Sequence, residues 1–329
     1  MTFAQKALIP GLGVLVVAVP SLAALAQGTL NGAGATFPAP FYQSAFAGLA
    51  STGGIRVNYQ SVGSGAGVRQ FIAGTVDFGA SDEPIKASEA AKVKRGVVQF
   101  PAVGGTIAIG YNNPSCNDLK LTQKQLVDVY LGKIKTWDAL KCGRGPITVV
   151  HRSDGSGTTF AFTNSLSAFS GEWKSKVGEG KSVNWPVGIG GKGNEGVSAS
   201  ISNTPGSLGY INQAFVRGAI KAASLQNRAG NFIKPTLKGG RAALANVELN
   251  EQLAGEDPNP AGADSYPIAT LTWILAYDKG NGEKAGTVRR ALLHLLSPAA
   301  QNKADDLGYV PLPADVLKKS RAAVARISP

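Results

Sequence analysis

The chain is poor in the residues that most often carry metal and nucleophile chemistry. Its 329 residues include two histidines, His151 and His294, two cysteines, Cys116 and Cys142, and a single methionine. A structural zinc site takes four nitrogen or sulfur ligands, so no metal centre and no cofactor are expected. Acidic residues number 21 against 33 lysines and arginines, a formal charge of +12. Yet the basic residues are scattered, with no block of five and no basic helix interleaved with aromatics, so a nucleic-acid partner is not expected. The reading that remains is a solvated basic surface that mildly attracts anions. Beyond residue 26 no stretch is long and apolar enough to span a bilayer. With two cysteines, a disulfide-dense scaffold is excluded. In an oxidising compartment the pair reads as one bridge, contributing roughly 3 kcal/mol, or else as two free buried thiols.

Glycine is abundant, at 42 residues, and 43% of the chain is hydrophobic. The length exceeds one compact core and suits two domains rich in tight turns. Residues 1–26 differ from the rest: Lys6 is their one charge, Ala7 to Ala26 is apolar apart from Ser21, and Pro10 and Pro20 interrupt it. It closes on Ala24-Leu-Ala26, the small-x-small pattern of a signal-peptide cleavage site; the alternative is a transmembrane anchor of about that length, which the two prolines and the cleavage pattern disfavour. The expected product is an exported, soluble protein beginning at Gln27. No cysteine lies near the cut to carry a lipid.

The most informative stretch is His151-Arg-Ser-Asp-Gly-Ser-Gly-Thr-Thr159. It follows the strand-like Ile147, Val149 and Val150 and precedes the helical spacing of Phe160, Phe162, Leu166 and Phe169. A glycine turn at a helix start exposes unpartnered amides, and the helix dipole adds positive potential there. Ser156, Thr158 and Thr159 contribute hydroxyls, and Arg152 contributes a planar fork that fits phosphate or carboxylate oxygens. Asp154 is placed to orient that fork; taken alone, the segment reads equally as an ordinary capped turn with a solvated arginine. The device recurs. Gly32-Ala-Gly-Ala-Thr36 precedes a helix with Pro38 in its first turn and an apolar face of Phe41, Tyr42, Ala45, Phe46 and Leu49, where Thr36 reads as an N-cap. Gly63-Ser-Gly-Ala-Gly67 follows the alternating Ile55, Val57 and Tyr59. Several helix tips of this kind suggest convergence on one anion.

Val76-Asp-Phe-Gly-Ala-Ser-Asp82 reads as a strand ending in an acid. Asp82 either caps a helix over 87–94 or faces the anion. The second role has chemical sense if the ligand carries a proton, which a carboxylate can accept. Val97–Tyr111 and Ile268–Tyr277 are candidate crossing strands. Helices are expected over 121–131 with Thr122 as cap, over 197–201, 288–296 and 299–307, with Trp137 in the core and a loop over 250–267. The β-then-α order implies mainly parallel sheets in two α/β units. Rival classes read poorly: Gly79-Ala-Ser-Asp-Glu83 lacks the final glycine of a nucleophile elbow, and Gly180-Lys-Ser182 lacks the first glycine of a P-loop because Ser175 stands there.

Taken together, Gly32–Pro40, Thr75–Asp82, Tyr130-Leu-Gly-Lys-Ile-Lys135, Asp154–Thr158, Gly190-Gly-Lys-Gly-Asn194 and Gly209-Tyr210 resemble the substrate-binding proteins of bacterial phosphate ABC transporters. The resemblance runs from about Leu30 onward and is poor over 225–265. It implies an α/β protein of the type II periplasmic-binding-protein fold, two lobes joined by crossing strands with a ligand cleft between them. Lobe 1 would comprise residues 27–106 and 269–329, and lobe 2 residues 107–268. It implies phosphate contacts from Thr36, the Phe37 amide, Ser64, Asp82, Arg152, Ser156, the Gly157 amide and Thr158, with Asp154 orienting the arginine. His151 stands where an arginine is familiar, and the second glycine turn lacks a second serine. The implied protein is a periplasmic, monomeric, non-enzymatic carrier of inorganic phosphate that docks on a membrane permease. Another tetrahedral oxyanion, a phosphonate, or a phosphatase activity are the alternatives.

Overall fold

A computed structural model describes residues 1–2 and 28–329; the expected leader and its cleavage after Ala26 lie outside the described residues. The chain opens with β1 (Thr29–Gly34), α1 (Ala39–Gly53), β2 (Arg56–Ser61), α2 (Ser64–Ala73), β3 (Phe78–Ser81), a single turn α3 (Ala87–Ala90) and the long β4 (Val97–Asn112). It continues through β5 (Lys120–Leu121), α4 (Gln123–Tyr130), β6 (Thr148–Arg152), α5 (Gly157–Phe169), α6 (Gly171–Lys176), β7 (Ile189–Gly191), α7 (Gly193–Asn203) and β8 (Ser207–Asn212). Three short strands follow, β9 (Lys221–Ala222), β10 (Ser224–Gln226) and β11 (Phe232–Ile233), then α8 (Leu237–Leu244). The chain closes with β12 (Ala269–Tyr277), α9 (Ala285–Leu295), α10 (Pro298–Asp306) and α11 (Ala314–Val324).

The main sheet runs β2-β1-β3-β12-β4-β8-β6-β7. Strand β4 is 16 residues long and changes partner along its length: Val97–Thr106 pairs with β12, and Ile107–Asn112 pairs with β8. One half of the sheet is thus β2, β1, β3, β12 and the start of β4; the other is the end of β4 with β8, β6 and β7. Parallel pairing was expected to dominate. Instead the described pairs divide evenly, because β12 and β4 run against the strands beside them as they carry the chain between the halves. Parallel order holds where β-then-α units repeat, in β2-β1-β3 and in β8-β6-β7.

A proline inside a central strand needs a local solution, since it cannot donate to the ladder. Pro101 sits where the β12 register slips between Thr272 and Trp273, so that Thr272 faces Val103 and Trp273 faces Pro101. The carbonyls beside the irregularity are satisfied from the last helices: Ser320 Oγ donates to Pro101 O at 2.9 Å, and Gln301 Nε2 donates to Ala102 O at 3.0 Å. On its other edge β12 pairs with β3 without a slip, Trp273 facing Ser81, which leaves Thr272 next to the end of β3, where Asp82 begins the following turn.

Local expectations hold at several points. Thr122 caps α4 by accepting from Gln125 N at 3.1 Å, Trp137 is fully buried, and residues 250–267 contain no helix or strand. The helix expected over 87–94 is shorter, ending at Ala90. Helix α11 and the small β11-β10-β5 sheet are not among the elements expected from the sequence. In the poorly matching region, Asn227 Nδ2 donates to the carbonyls of Gly262, Ala263 and Ser265, which pins the loop ahead of β12. Cys116 and Cys142 are joined in a disulfide, with Cα atoms 4.9 Å apart.

Candidate functional site

Thr36, Ser64, Asp82, Arg152, Ser156 and Thr158 are all buried, although each is a polar residue beside a turn. Burial of that many polar groups requires partners, and the partners are largely one another. Thr158 Oγ1 donates to Asp82 Oδ2 at 3.0 Å, and Asp82 N donates to Ser64 Oγ at 3.3 Å. Arg152 grips Asp154 with both arms of its fork, Nε to Oδ1 at 2.8 Å and Nη2 to Oδ2 at 2.6 Å, while Nη1 lies 3.4 Å from Thr158 Oγ1. Ser156 is the N-cap of α5, accepting from Thr159 N at 3.0 Å, and Gly157 is that helix's first residue. Ser64 is likewise the first residue of α2, after Gly63. Phe37 is fully buried two residues before α1, its carbonyl accepting from Tyr309 Oη at 2.7 Å.

Two readings from the sequence need correction. Thr36 is not the cap of α1; Pro38 occupies that position without a side-chain cap. The Thr36 hydroxyl instead accepts from Asn194, from the backbone N at 3.0 Å and from Nδ2 at 2.8 Å. Asp82 does not cap the helix after it either, since Lys86 holds that place and the Asp82 carboxylate is taken by Thr158 and by Thr272 Oγ1, 2.8 Å from Oδ1.

The two halves of the sheet meet across this cluster. Gly65 N donates to Gly155 O at 2.8 Å, and Ser61 Oγ donates to Glu195 Oε1 at 2.9 Å. The approach is close enough to require glycine. A Cβ at Gly157 would stand 2.6 Å from Ser64 Oγ and 2.7 Å from Asp82 N, and one at Gly63, where φ is +88°, would stand 2.1 Å from Asp154 Oδ2. At the rim, Lys181 Nζ lies 2.7 Å from Glu83 Oε2 and 3.5 Å from Glu89 Oε2; the first is a charge contact without hydrogen-bond alignment.

The electrostatics separate the two aspartates. Burial raises Asp82 from 3.8 to about 6, against the opposing pull of the Thr272 and Thr158 hydroxyls and of the Arg152 charge. Burial also acts upward on Asp154, but the Arg152 hydrogen bonds and charge outweigh it and hold that carboxyl below its ordinary range. One acid is a permanent counterion. The other sits among neutral donors and retains lone pairs able to take a proton.

Four participants were not assigned from the sequence. Asn194 lies in the glycine turn 188–196, which was legible as a turn before a helix but not as a contact. Thr272 is brought to Asp82 by strand pairing alone. Tyr210 Oη accepts from Arg152 N at 3.0 Å and lies 2.6 Å from Thr159 Oγ1, fixing the arginine strand to α5. Lys181 O accepts from Ser156 N at 2.8 Å, so the same residue braces the α5 turn and carries the rim charge. Both histidines face backbone carbonyls: His151 Nδ1 lies 3.0 Å from Arg152 O with its ring stacked on Trp185, and His294 Nε2 lies 2.9 Å from Ala45 O.

The sequence model of the PBP superfamily domain matches residues 20–297. The phosphate-binding protein PstS of Pasteurella multocida is 44% identical over 313 residues, covering 89% of this chain and 89% of that protein. The phosphate-binding protein PstS of Haemophilus influenzae is 42% identical over 304 residues, covering 88% of this chain and 90% of that protein. The chain belongs to the PstS phosphate-binding protein family. Solved structures agree on the fold. A high-affinity periplasmic phosphate-binding protein bound with phosphate superposes with a TM-score of 0.75 at 23% identity, covering 89% of this chain and 93% of that one. A phosphate-binding protein from Stenotrophomonas maltophilia gives 0.71 at 19% identity, with the same coverage. The fold is therefore the type II periplasmic-binding-protein fold, and the buried polar cluster lies where the two halves of its sheet meet. No helix among the described residues is long and apolar enough to cross a membrane.

Proposed function

We propose that this PstS-family chain binds inorganic phosphate with high affinity in the periplasm and delivers it to the permease of an ABC-type importer. It acts as a monomer, without catalysis, after removal of the leader at Ala26. Thr36, the Phe37 amide, Ser64, Arg152, Ser156, the Gly157 amide and Thr158, the last through its first-turn amide because its hydroxyl hydrogen goes to Asp82, serve as donors to the phosphate oxygens. Asp82 serves as the one acceptor, taking a proton from the ligand. Asp154 keeps the arginine fork in its plane. Residues 27–106 with 269–329, and residues 107–268, move as the two bodies that close over the ligand; the change of β4 partner between Thr106 and Ile107 supports this division.

The observation that carries the reading is the pairing, in one buried cluster, of a neutralised arginine with an acid that lacks a cation of its own. Arg152 supplies a site for oxyanions in general, whereas Asp82 opposes any anion that brings no proton. Phosphate near neutral pH is partly protonated and sulfate is not. Sulfate would leave the Asp82 carboxylate facing a negative oxygen with no hydrogen between them.

Calorimetric titration of the purified mature protein with phosphate and with sulfate across pH tests this directly. Tight phosphate binding with sulfate weaker by roughly 10⁴-fold is expected. Equal affinity for the two anions would remove Asp82 from the proposed role, and no heat with either would remove the function.

A further inference from the structure

A threonine hydroxyl has one hydrogen to donate and two lone pairs to accept with. At Thr36 both acceptor positions are filled from a single residue of the opposite lobe, Asn194, through its backbone N at 3.0 Å and its Nδ2 at 2.8 Å. The orientation of the Asn194 amide is fixed independently. Its side-chain oxygen accepts from Asn212 N at 2.8 Å, and a backbone N–H can only donate, so Oδ1 faces Asn212 and Nδ2 faces Thr36. The backbone N of Asn194 belongs to the first turn of α7, a position with no partner inside its own helix. Asn194 Nδ2 also lies 3.4 Å from Thr158 Oγ1, which in turn donates to Asp82, so a chain of contacts links Thr36 to Asp82. Thr36 and Asn194 are both buried.

We infer that Asn194 is a positioning residue that makes Thr36 an obligate hydrogen-bond donor to the bound oxyanion, and that it does so across the cleft, when the two lobes are together. The O–H hydrogen is the one capacity left to Thr36 once Asn194 is in place, and it is free to point at the ligand. Closure therefore does more than cover the anion: it sets the polarity of a hydroxyl on the far wall. The arrangement complements Asp82. One wall accepts a single ligand proton, and Thr36 is prevented from accepting a second. The consequence at this wall is that a second ligand proton finds no acceptor on Thr36, which favours the singly protonated, doubly charged form of phosphate there. The inference rests on the phosphate reading above.

The test is a double-mutant cycle read by calorimetry with inorganic phosphate on the acid and alkaline sides of its second ionisation. Asn194→Leu removes Nδ2 at similar volume and is expected to weaken binding about tenfold. In a Thr36→Val background the same change should weaken binding no further. With Thr36 intact, freeing a lone pair should also bring the acid-side and alkaline-side affinities closer together than in the unaltered protein. Losses that add, or a pH profile parallel to the unaltered one, would overturn the inference and assign Asn194 to holding the lobes together. Asn194→Asp keeps the bond to Asn212, and with it the fold at α7, while turning the donor into an acceptor. It should weaken binding more with the Thr36 hydroxyl present than in Thr36→Val; equal losses in both, the signature of added charge alone, would likewise overturn it. If the unaltered protein gives no phosphate heat, the functional reading falls, whatever the variants do.

Discussion

Asp82, buried, and Asp154, half-buried, stand against the same arginine-bearing cluster, yet their surroundings differ in kind. Asp154 receives both arms of Arg152 and the Gly193 amide at 3.0 Å, so its charge is matched and its carboxyl is held low. Asp82 receives two neutral hydroxyls, from Thr158 and Thr272, and burial lifts it to about 6. The amino acid is the same; the donor opposite it decides whether it is a counterion or a proton acceptor. An anion site that had only the Asp154 arrangement would hold any tetrahedral oxyanion of suitable size. On the proposed reading, adding an acid without a cation of its own gives the site a chemical criterion besides charge.

The comparison can be broken at its strongest point. Arg152→Ala should weaken phosphate binding roughly a thousandfold by calorimetry, because it removes the fork and leaves the Asp154 charge unpaired beside an anion. Retained affinity would mean that the ligand sits elsewhere. Asp82→Asn is expected to weaken phosphate by about tenfold or more while raising sulfate affinity, so that the two anions approach each other. A variant that still excluded sulfate would detach selectivity from the acid.

The same substitution sharpens the contrast in the ligand-free protein. The folded-state value of Asp82 lies above its ordinary value, so between 3.8 and about 6 the folded chain binds more protons than the unfolded one. Stability from this group is then present at acid pH and is lost as pH rises through that window. Asp82→Asn should flatten the dependence there and gain on the order of 3 kcal/mol at neutral pH in denaturant unfolding. An unchanged profile would show that Asp82 titrates normally. The smallest effect is expected at Asp154→Asn, where Arg152 keeps a neutral acceptor but loses its charge partner. Affinity should fall about tenfold with selectivity for phosphate over sulfate preserved. A change in selectivity would erase the division of labour between the two acids.

Much of this was legible because turns and chemistry coincide along the chain. The nonapeptide from His151 to Thr159 contains the fork, its counterion and the helix start within nine residues, so sequence distance and spatial distance agree. Asp82 could be read as an acid beside an anion site, but whether it had a cation of its own depends on Thr158 and Thr272, which lie 76 and 190 residues away. Thr272 reaches it through the pairing of β12 beside the Pro101 irregularity, which no local pattern announces. Thr36 was misread as a cap for a similar reason. A hydroxyl before a helix has a local explanation, and its true partner, Asn194, lies 158 residues away on the other lobe. The even division between parallel and antiparallel pairs follows the same rule, since alternation of strands and helices reveals repeated units but not where a chain doubles back.

The bridge between Cys116 and Cys142 has a consequence for the life of the chain before it folds. Thiols stay reduced inside the cell, so on the export reading the newly made polypeptide travels without this clamp and without the roughly 3 kcal/mol it contributes. A precursor lacking its staple is easier to keep threadable, and oxidation on the far side locks in a shape that was left loose until delivery.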